Sequence, residues 1–177
     1  MRIIAGRHRG RVLAQFRGEA VRPTSDRVKE SLFQILSARL YGARVLDLFC
    51  GSGALGLESL SRGAREAVFN DASRESLAIC KKNLAALNER GTVYELDFRT
   101  CLARAEGEFD IIFCDPPYAM DVAGEALSLI AQRALLAPDG VVVWESERQE
   151  EAPEGWELAD RRSYGRTKIA FFIRSKP

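Results

Sequence analysis

An α/β fold is predicted for this chain: a mostly parallel seven-stranded sheet with helices on both faces and a short basic N-terminal hairpin extension. Three observations predict it. Apolar runs of strand length alternate with segments of helical spacing, which argues a parallel sheet covered on both faces. One such run, Val45-Leu46-Asp47-Leu48-Phe49-Cys50, leads into Gly51-Ser52-Gly53-Ala54-Leu55-Gly56, a G-x-G-x-x-G loop that lets the backbone lie close to a ligand at a helix N-terminus. Another, Phe109 to Cys114, ends in Asp115-Pro116-Pro117-Tyr118. Ligands of such folds sit beyond the carboxyl ends of the strands, at the topological switch point, so the two motifs are expected to meet there.

The elements follow in order. Residues 2–5 and 11–16 pair as a hairpin across Arg7 to Gly10. Thr24 or Ser25 caps a helix running to about Leu40, with Val28, Leu32, Ile35 and Leu36 on one face. Strands are expected at 44–49, 66–70, 92–96, 109–114 and 140–145, the last after the turn Pro138-Asp139-Gly140. Helices between them fall at about 53–62, 73–87, 99–104 and 122–136. Residues 156–162 and 168–174 form an antiparallel pair joined near Gly165. The chain reads as one domain, with residues 1–24 as a basic extension and 25–177 as the core; no repeat or linker interrupts it.

Composition bounds the function. The chain has 177 residues, 46% of them apolar and 29% charged, which suits a soluble globular protein with a real core. No apolar run reaches membrane-spanning length, and the N-terminus lacks the apolar stretch of a signal peptide. The four cysteines, Cys50, Cys80, Cys101 and Cys114, show no C-x-x-C spacing, and His8 is the single histidine. No metal site is therefore expected, and the thiols read as reduced core residues of a cytoplasmic protein. The net charge of +1 hides an asymmetry: residues 1–29 hold eight basic residues against Glu19 and Asp26, a balance of +6, and the remainder carries −5. A basic arm on a mildly acidic body points to phosphate contacts from one end. Arg161, Arg162, Arg166 and Lys168 could extend that patch.

The tetrapeptide is an unusual device. A residue before proline is pushed into an extended conformation, and the two prolines fix φ and remove two donors. A stiff turn remains, offering a carboxylate, bare carbonyls and an aromatic face. That set suits a planar base with an exocyclic amino group, with Tyr118 stacked on the ring. Alone, it also describes a proline-rich turn, as the glycine loop alone also describes a nicotinamide site. Asp47 tilts the balance, because an acid four residues before Gly51 would crowd a pyrophosphate but suits a cationic ligand. Asp71, 20 positions after Gly51, stands where a carboxylate meets a ribose diol. Asp97 ends the third strand, and Phe98 could pack against an adenine. Three acids at consecutive strand ends, with the glycine loop, favour a nucleoside cofactor.

Asp47 to Gly56 together with Asp115 to Tyr118 resembles the S-adenosylmethionine-dependent amino-methyltransferases, in which a cofactor loop and a [DN]-P-P-[YF] motif occur in this order. The head narrows the match. Arg2-Ile3-Ile4-Ala5-Gly6, Gly10-Arg11 and the segment from Arg22-Pro23-Thr24 to Leu32-Phe33 resemble the small-subunit rRNA guanine-N2 methyltransferases of the RsmD type. The resemblance covers almost the whole chain. It implies a Rossmann-like class I methyltransferase fold, S-adenosylmethionine as cofactor, and a guanine N2 (guanine 966) of 16S rRNA in the small subunit or its assembly intermediate as substrate. It implies Asp115, Pro116 and Tyr118 as catalytic residues. Asp47, Phe49, Gly51, Gly53, Gly56, Asp71, Asp97, Phe98 and Asp115 would hold the cofactor. Arg7, Arg9, Arg11, Arg22, Thr24, Arg27 and Tyr118 would meet RNA. A monomer is the expected state.

Four other readings compete. An adenine-N6 methyltransferase would use the same tetrapeptide, but gives no reason for the head. A protein glutamine methyltransferase typically carries Asn at the place of Asp115. A nicotinamide oxidoreductase leaves Asp47 and the tetrapeptide unexplained. A non-catalytic RNA-binding protein should have lost the acids or the tetrapeptide.

Overall fold

The computed structural model describes residues 1–17 and 23–177, apart from the side chains of residues 23–25. The elements run α1 (Pro23–Ile35), α2 (Ser37–Leu40), β1 (Arg44–Asp47), α3 (Ala54–Ser61), β2 (Glu66–Asn70), α4 (Arg74–Ala86), β3 (Thr92–Tyr94), α5 (Phe98–Arg104), β4 (Phe109–Cys114), α6 (Ala123–Gln132), β5 (Leu136–Ser146), β6 (Trp156–Tyr164) and β7 (Thr167–Arg174). They build one seven-stranded sheet of order β3-β2-β1-β4-β5-β7-β6. β1 to β5 run parallel to one another, and β7 inserts antiparallel between β5 and β6. The chain winds outward from β1 to β3 and returns to β4, so the crevice between β1 and β4 is the switch point. The glycine loop leaves β1 there, and the Asp-Pro-Pro-Tyr turn leaves β4.

Because both faces are covered, the central strand residues are mostly apolar, with Asp47 and Asn70 as buried polar exceptions at the ends of β1 and β2. Val45, Phe69, Ile111, Phe113, Val143 and Phe171 pack on one face with residues of α1, α3 and α4. Leu46, Val68, Ile112, Val142, Trp144 and Phe172 pack on the other with α5 and α6. Gly56 is needed for this packing: a Cβ there would stand 2.3 Å from a Phe69 ring carbon.

Several boundaries differ from the sequence expectation. The first helix divides at Leu36, where the bond from Arg39 N–H to the Leu36 carbonyl (2.8 Å) tightens the turn before α2. The 122–136 helix stops at Gln132, because Ala134 takes φ +50° and sends Leu135 and Leu136 into the sheet. Pro138-Asp139-Gly140 is then not a turn before a strand but a bulge inside β5: Leu136 faces Phe109, and Val141 is already opposite Ile111. The head pairs antiparallel over a shorter stretch than residues 2–5 and 11–16, through the bridge Arg2 to Val12 and bonds from Ile3, Gly10 and Leu13 N–H to the Arg11, Ile3 and Met1 carbonyls.

The head is docked on the core, not held out as an arm. Glu58 of α3, fully buried, accepts from the Ile4 and Ala5 amides at 2.9 and 3.2 Å. The same carboxylate meets Lys29 of α1 at 3.1 Å and Arg62 at 3.0 Å. Lys29 also donates to the Arg2 carbonyl, and burial lowers its pKa against the raising effect of Glu58. A buried carboxylate with this many donors is satisfied, and removing one partner would leave an uncompensated charge. No helix among the described residues is long and apolar enough to cross a membrane.

Candidate active site

A cleft of about 1110 Å³ opens over the carboxyl ends of the strands. Its walls come from the glycine loop (Phe49, Gly51, Ser52), the ends of β2 and β3 (Asn70, Asp71, Asp97, Phe98) and the turn from Asp115 to Tyr118. The head (Met1, Gln15, Phe16), α1 (Asp26, Lys29) and the β6–β7 hairpin (Tyr164, Arg166) complete it. Ser31 of α1 and Tyr164 share a hydrogen bond between hydroxyls, which ties the hairpin to α1.

On the β1–β3 side, each acid holds backbone as well as facing the cleft. Asp47, 1% exposed, accepts from the Gly56 amide at 3.1 Å. Burial, and to a lesser degree Asp71, push its pKa to about 7, against the lowering effect of the Gly56 bond. Asp71 accepts from the Gly51 amide and the Ser73 amide, both at 2.9 Å. Asp97 caps α5 through Arg99 N–H at 2.9 Å. Gly51 and Gly53 take φ of +54° and +86°, which favours glycine. A Cβ on Gly51 would enter open space, whereas one on Gly53 would meet the Cys80 sulfur at 2.8 Å. The loop is therefore shaped by Gly53 and exposed at Gly51.

Asn70 ends β2 beside Asp71. Its amide donates to the Leu48 and Leu96 carbonyls at 3.1 and 3.0 Å, joining the ends of β1, β2 and β3. Its Oδ1 is buried without a partner among the described residues, and the residue lines the cleft. A buried unpaired acceptor at a cleft wall calls for a donor from outside, such as a hydroxyl. Phe49 and Phe98 lie with ring centroids 5.5 Å apart at the same end. The donor set of this half thus fits a cationic nucleoside with free hydroxyls.

The other half is built differently. Asp115 follows the buried end of β4, and Pro116 is buried behind it. The Pro117 carbonyl accepts from Met120 N–H at 2.9 Å, which closes the turn. Tyr118 is 53% exposed at the rim. Burial first, then the charges of Glu145 and Asp47, hold the Asp115 carboxyl well above its usual range. Glu145 near the end of β5 is likewise raised, by burial.

The structure brings Asp47, Phe49, Gly51, Asp71, Asp97, Phe98, Asp115, Pro116 and Tyr118 to one cleft. Gly53 and Gly56 stand behind it. Arg7, Arg9, Arg11 and Arg27 are exposed but do not line it. Arg7 pairs with Glu89, and Arg11 donates to the Ala86 carbonyl. Arg22 and the Thr24 side chain lie outside the described residues. Sequence reasoning missed Glu145, Lys29 and Asp26. Glu145 carried a usable signal, an acid at a strand's carboxyl end. Lys29 gave none, because its place depends on Glu58.

The family model described as conserved hypothetical protein 95 matches residues 1–173. The Haemophilus influenzae protein named ribosomal RNA small subunit methyltransferase D is 36% identical over 93% of this chain and 89% of its own length. Its Escherichia coli namesake is 34% identical over 98% and 90%. The solved structure of Escherichia coli yhhF superposes with a TM-score of 0.88 at 35% identity, covering 98% of this chain and 97% of that one. The T. thermophilus 16S rRNA N2 G1207 methyltransferase, solved in complex with AdoMet and guanosine, gives 0.67 at 26% identity, over 91% of this chain and 45% of that chain.

Proposed function

Since the chain belongs to the family described as conserved hypothetical protein 95, we propose that it methylates the exocyclic N2 amine of a guanine in 16S rRNA, with S-adenosylmethionine as the methyl donor. The observation that carries this reading is the meeting, at one switch point, of the glycine loop with a carboxylate turn whose acid is left open to the cleft. The relatives named for small-subunit rRNA, and the guanosine-bound neighbour, support the RNA and the base.

When bound, S-adenosylmethionine supplies an electrophilic methyl on its sulfonium. Residues of this chain would hold it as the cleft suggests. Asp47 faces cationic charge, Asp71 and the free Asn70 Oδ1 take ribose hydroxyls, and Asp97 with Phe49 and Phe98 borders the base. Asp115 and the Pro116 carbonyl accept the N2 hydrogens of guanine. Its N2 lone pair is delocalised into the ring, and holding those hydrogens favours a pyramidal nitrogen aimed at the methyl. Positioning and local electrostatics then supply most of the rate. Tyr118 stacks on the base, which must leave its RNA context; extrusion costs a few kcal/mol, least for an unpaired base. Arg9, Arg11 and Arg27, exposed outside the cleft, supply phosphate contacts.

The test is transfer of labelled methyl from S-adenosylmethionine to undermethylated small subunits, followed by digestion and identification of the labelled nucleoside by mass spectrometry. Label is expected in N2-methylguanosine. Label in N6-methyladenosine would overturn the choice of base, and absence of label with cofactor bound would overturn the RNA substrate.

A further inference from the structure

We propose that Glu145 is a specificity-determining residue that accepts the N1–H of the target guanine beside Asp115, so that two adjacent carboxylates read the donor edge of the base. This rests on the guanine reading above. β4 and β5 are parallel, and Phe113 and Cys114 lie opposite Val143 and Trp144. One step further come Asp115, just past the end of β4, and Glu145 of β5, close enough for the charge of one to act on the other. Side chains at paired positions of parallel strands share a face, and both residues line the cleft. No hydrogen bond joins either carboxylate to another group among the described residues, unlike Asp47, Asp71 and Asp97. Two neighbouring acceptors without donors, at the end of one cleft, call for a ligand edge with neighbouring donors.

Guanine offers that edge, because N1–H and the N2 amino group are adjacent donors. Adenine offers an amino group beside N1, but its N1 is a lone pair. A carboxylate facing that lone pair leaves two acceptors opposed in a partly desolvated site. Such a site rejects by what it leaves unpaired as much as by what it binds. Asp115 and the prolines suit any exocyclic amine; Glu145 supplies the distinction between amines.

The experiment uses the full chain and small subunits reconstituted with either guanine or 2-aminopurine at the methylated position. 2-Aminopurine keeps the N2 amine but has a lone pair at N1. The parent protein is expected to methylate guanine and to prefer it over 2-aminopurine by roughly 10³-fold or more, the scale of sites built around a hydrogen-bonded group. In Glu145→Gln the amide can donate to a bare N1. The guanine rate should fall, and the preference should narrow by at least about 10²-fold. Glu145→Asp, which keeps the charge, should be slower but retain the preference. Cofactor binding and melting temperature of each variant serve as folding controls.

An unchanged guanine rate in Glu145→Gln would overturn the assignment. So would an equal loss on both bases, or a loss of cofactor binding, which would make Glu145 a cofactor ligand instead. Failure of the parent protein to form N2-methylguanosine would sink the guanine reading itself and is told apart by the parent measurement alone.

Discussion

The two halves of the cleft use the same residue type in opposite ways. At the ends of β1, β2 and β3, each acid or amide is stitched into the backbone: Asp47 to Gly56, Asp71 to Gly51 and Ser73, Asp97 to Arg99, Asn70 to Leu48 and Leu96. At the ends of β4 and β5, Asp115 and Glu145 accept nothing among the described residues and are raised in pKa by burial. The first set shapes a loop and contributes to stability. The second set is held at the expense of stability, since a desolvated carboxylate without donors disfavours its charged form. An acid at a strand end is therefore not one signal but two, separated by whether the local loop can turn an amide back to it. The glycine loop can. A turn beginning with two prolines cannot, because it has no amide to give.

The largest effect that would break this contrast is at Asp115. Asp115→Ala should lower the methylation rate by about 10³-fold, the upper range for removing one electrostatic contact to a reacting group, with cofactor affinity nearly unchanged. Its stability should hold or rise at pH 8. The folded-state pKa of Asp115 is raised, so the stability linked to this group is full below its unfolded pKa and is lost as pH climbs toward the folded value. The gain in the variant should accordingly vanish near pH 3. Denaturant unfolding of both proteins at the two pH values measures it, and a clear loss of stability at pH 8 would show that Asp115 is a structural cap like the others.

Asp71→Ala should behave in the reverse manner. It leaves the Gly51 and Ser73 amides without their acceptor, at a cost of about 1–3 kcal/mol in unfolding free energy, and it should weaken cofactor binding. A variant with parent stability would remove Asp71 from the capping set.

The smallest effect sharpens the comparison at Asp47, which belongs to the stitched set yet has a pKa raised to about 7. Its contribution to folding is full below the unfolded carboxylate range and declines as pH rises to about 7. A cationic ligand favours the ionised form, so binding of S-adenosylmethionine at pH 6 should release protons, with affinity rising toward pH 7 and levelling above it. Titration calorimetry at pH 6, in buffers of different ionisation enthalpy, reads the release directly, and it should be absent in Asp47→Asn. Equal release in that variant would assign the proton to another group.

Much of this was legible from short-range pattern. Strand runs ended by acids, a glycine loop and two prolines placed Asp47, Asp71, Asp97 and Asp115 at one edge, because each depends on neighbours within a few residues. Gly53 and Gly56 belong to the motif yet serve packing, against Cys80 and Phe69, and spacing alone does not separate a glycine facing a ligand from one facing a ring. The bulge at Pro138 to Gly140 was misplaced because the buried pairing of Leu136 with Phe109 overrides a local turn signal. Lys29 and Tyr164 reach the cleft through Glu58 and Ser31, partners too distant in sequence for any window to connect. Glu145 obeys the same strand-end rule, one residue before the end of β5.

The buried Glu58 also makes the seating of the head depend on α3. The Ile4 and Ala5 amides find their acceptor 54 and 53 residues along the chain. Without α3 the Ile4 and Ala5 amides lose their acceptor, and Lys29 loses the carboxylate it pairs with at 3.1 Å. The wall of the cleft that includes Met1 thus rests on the same helix that the glycine loop opens.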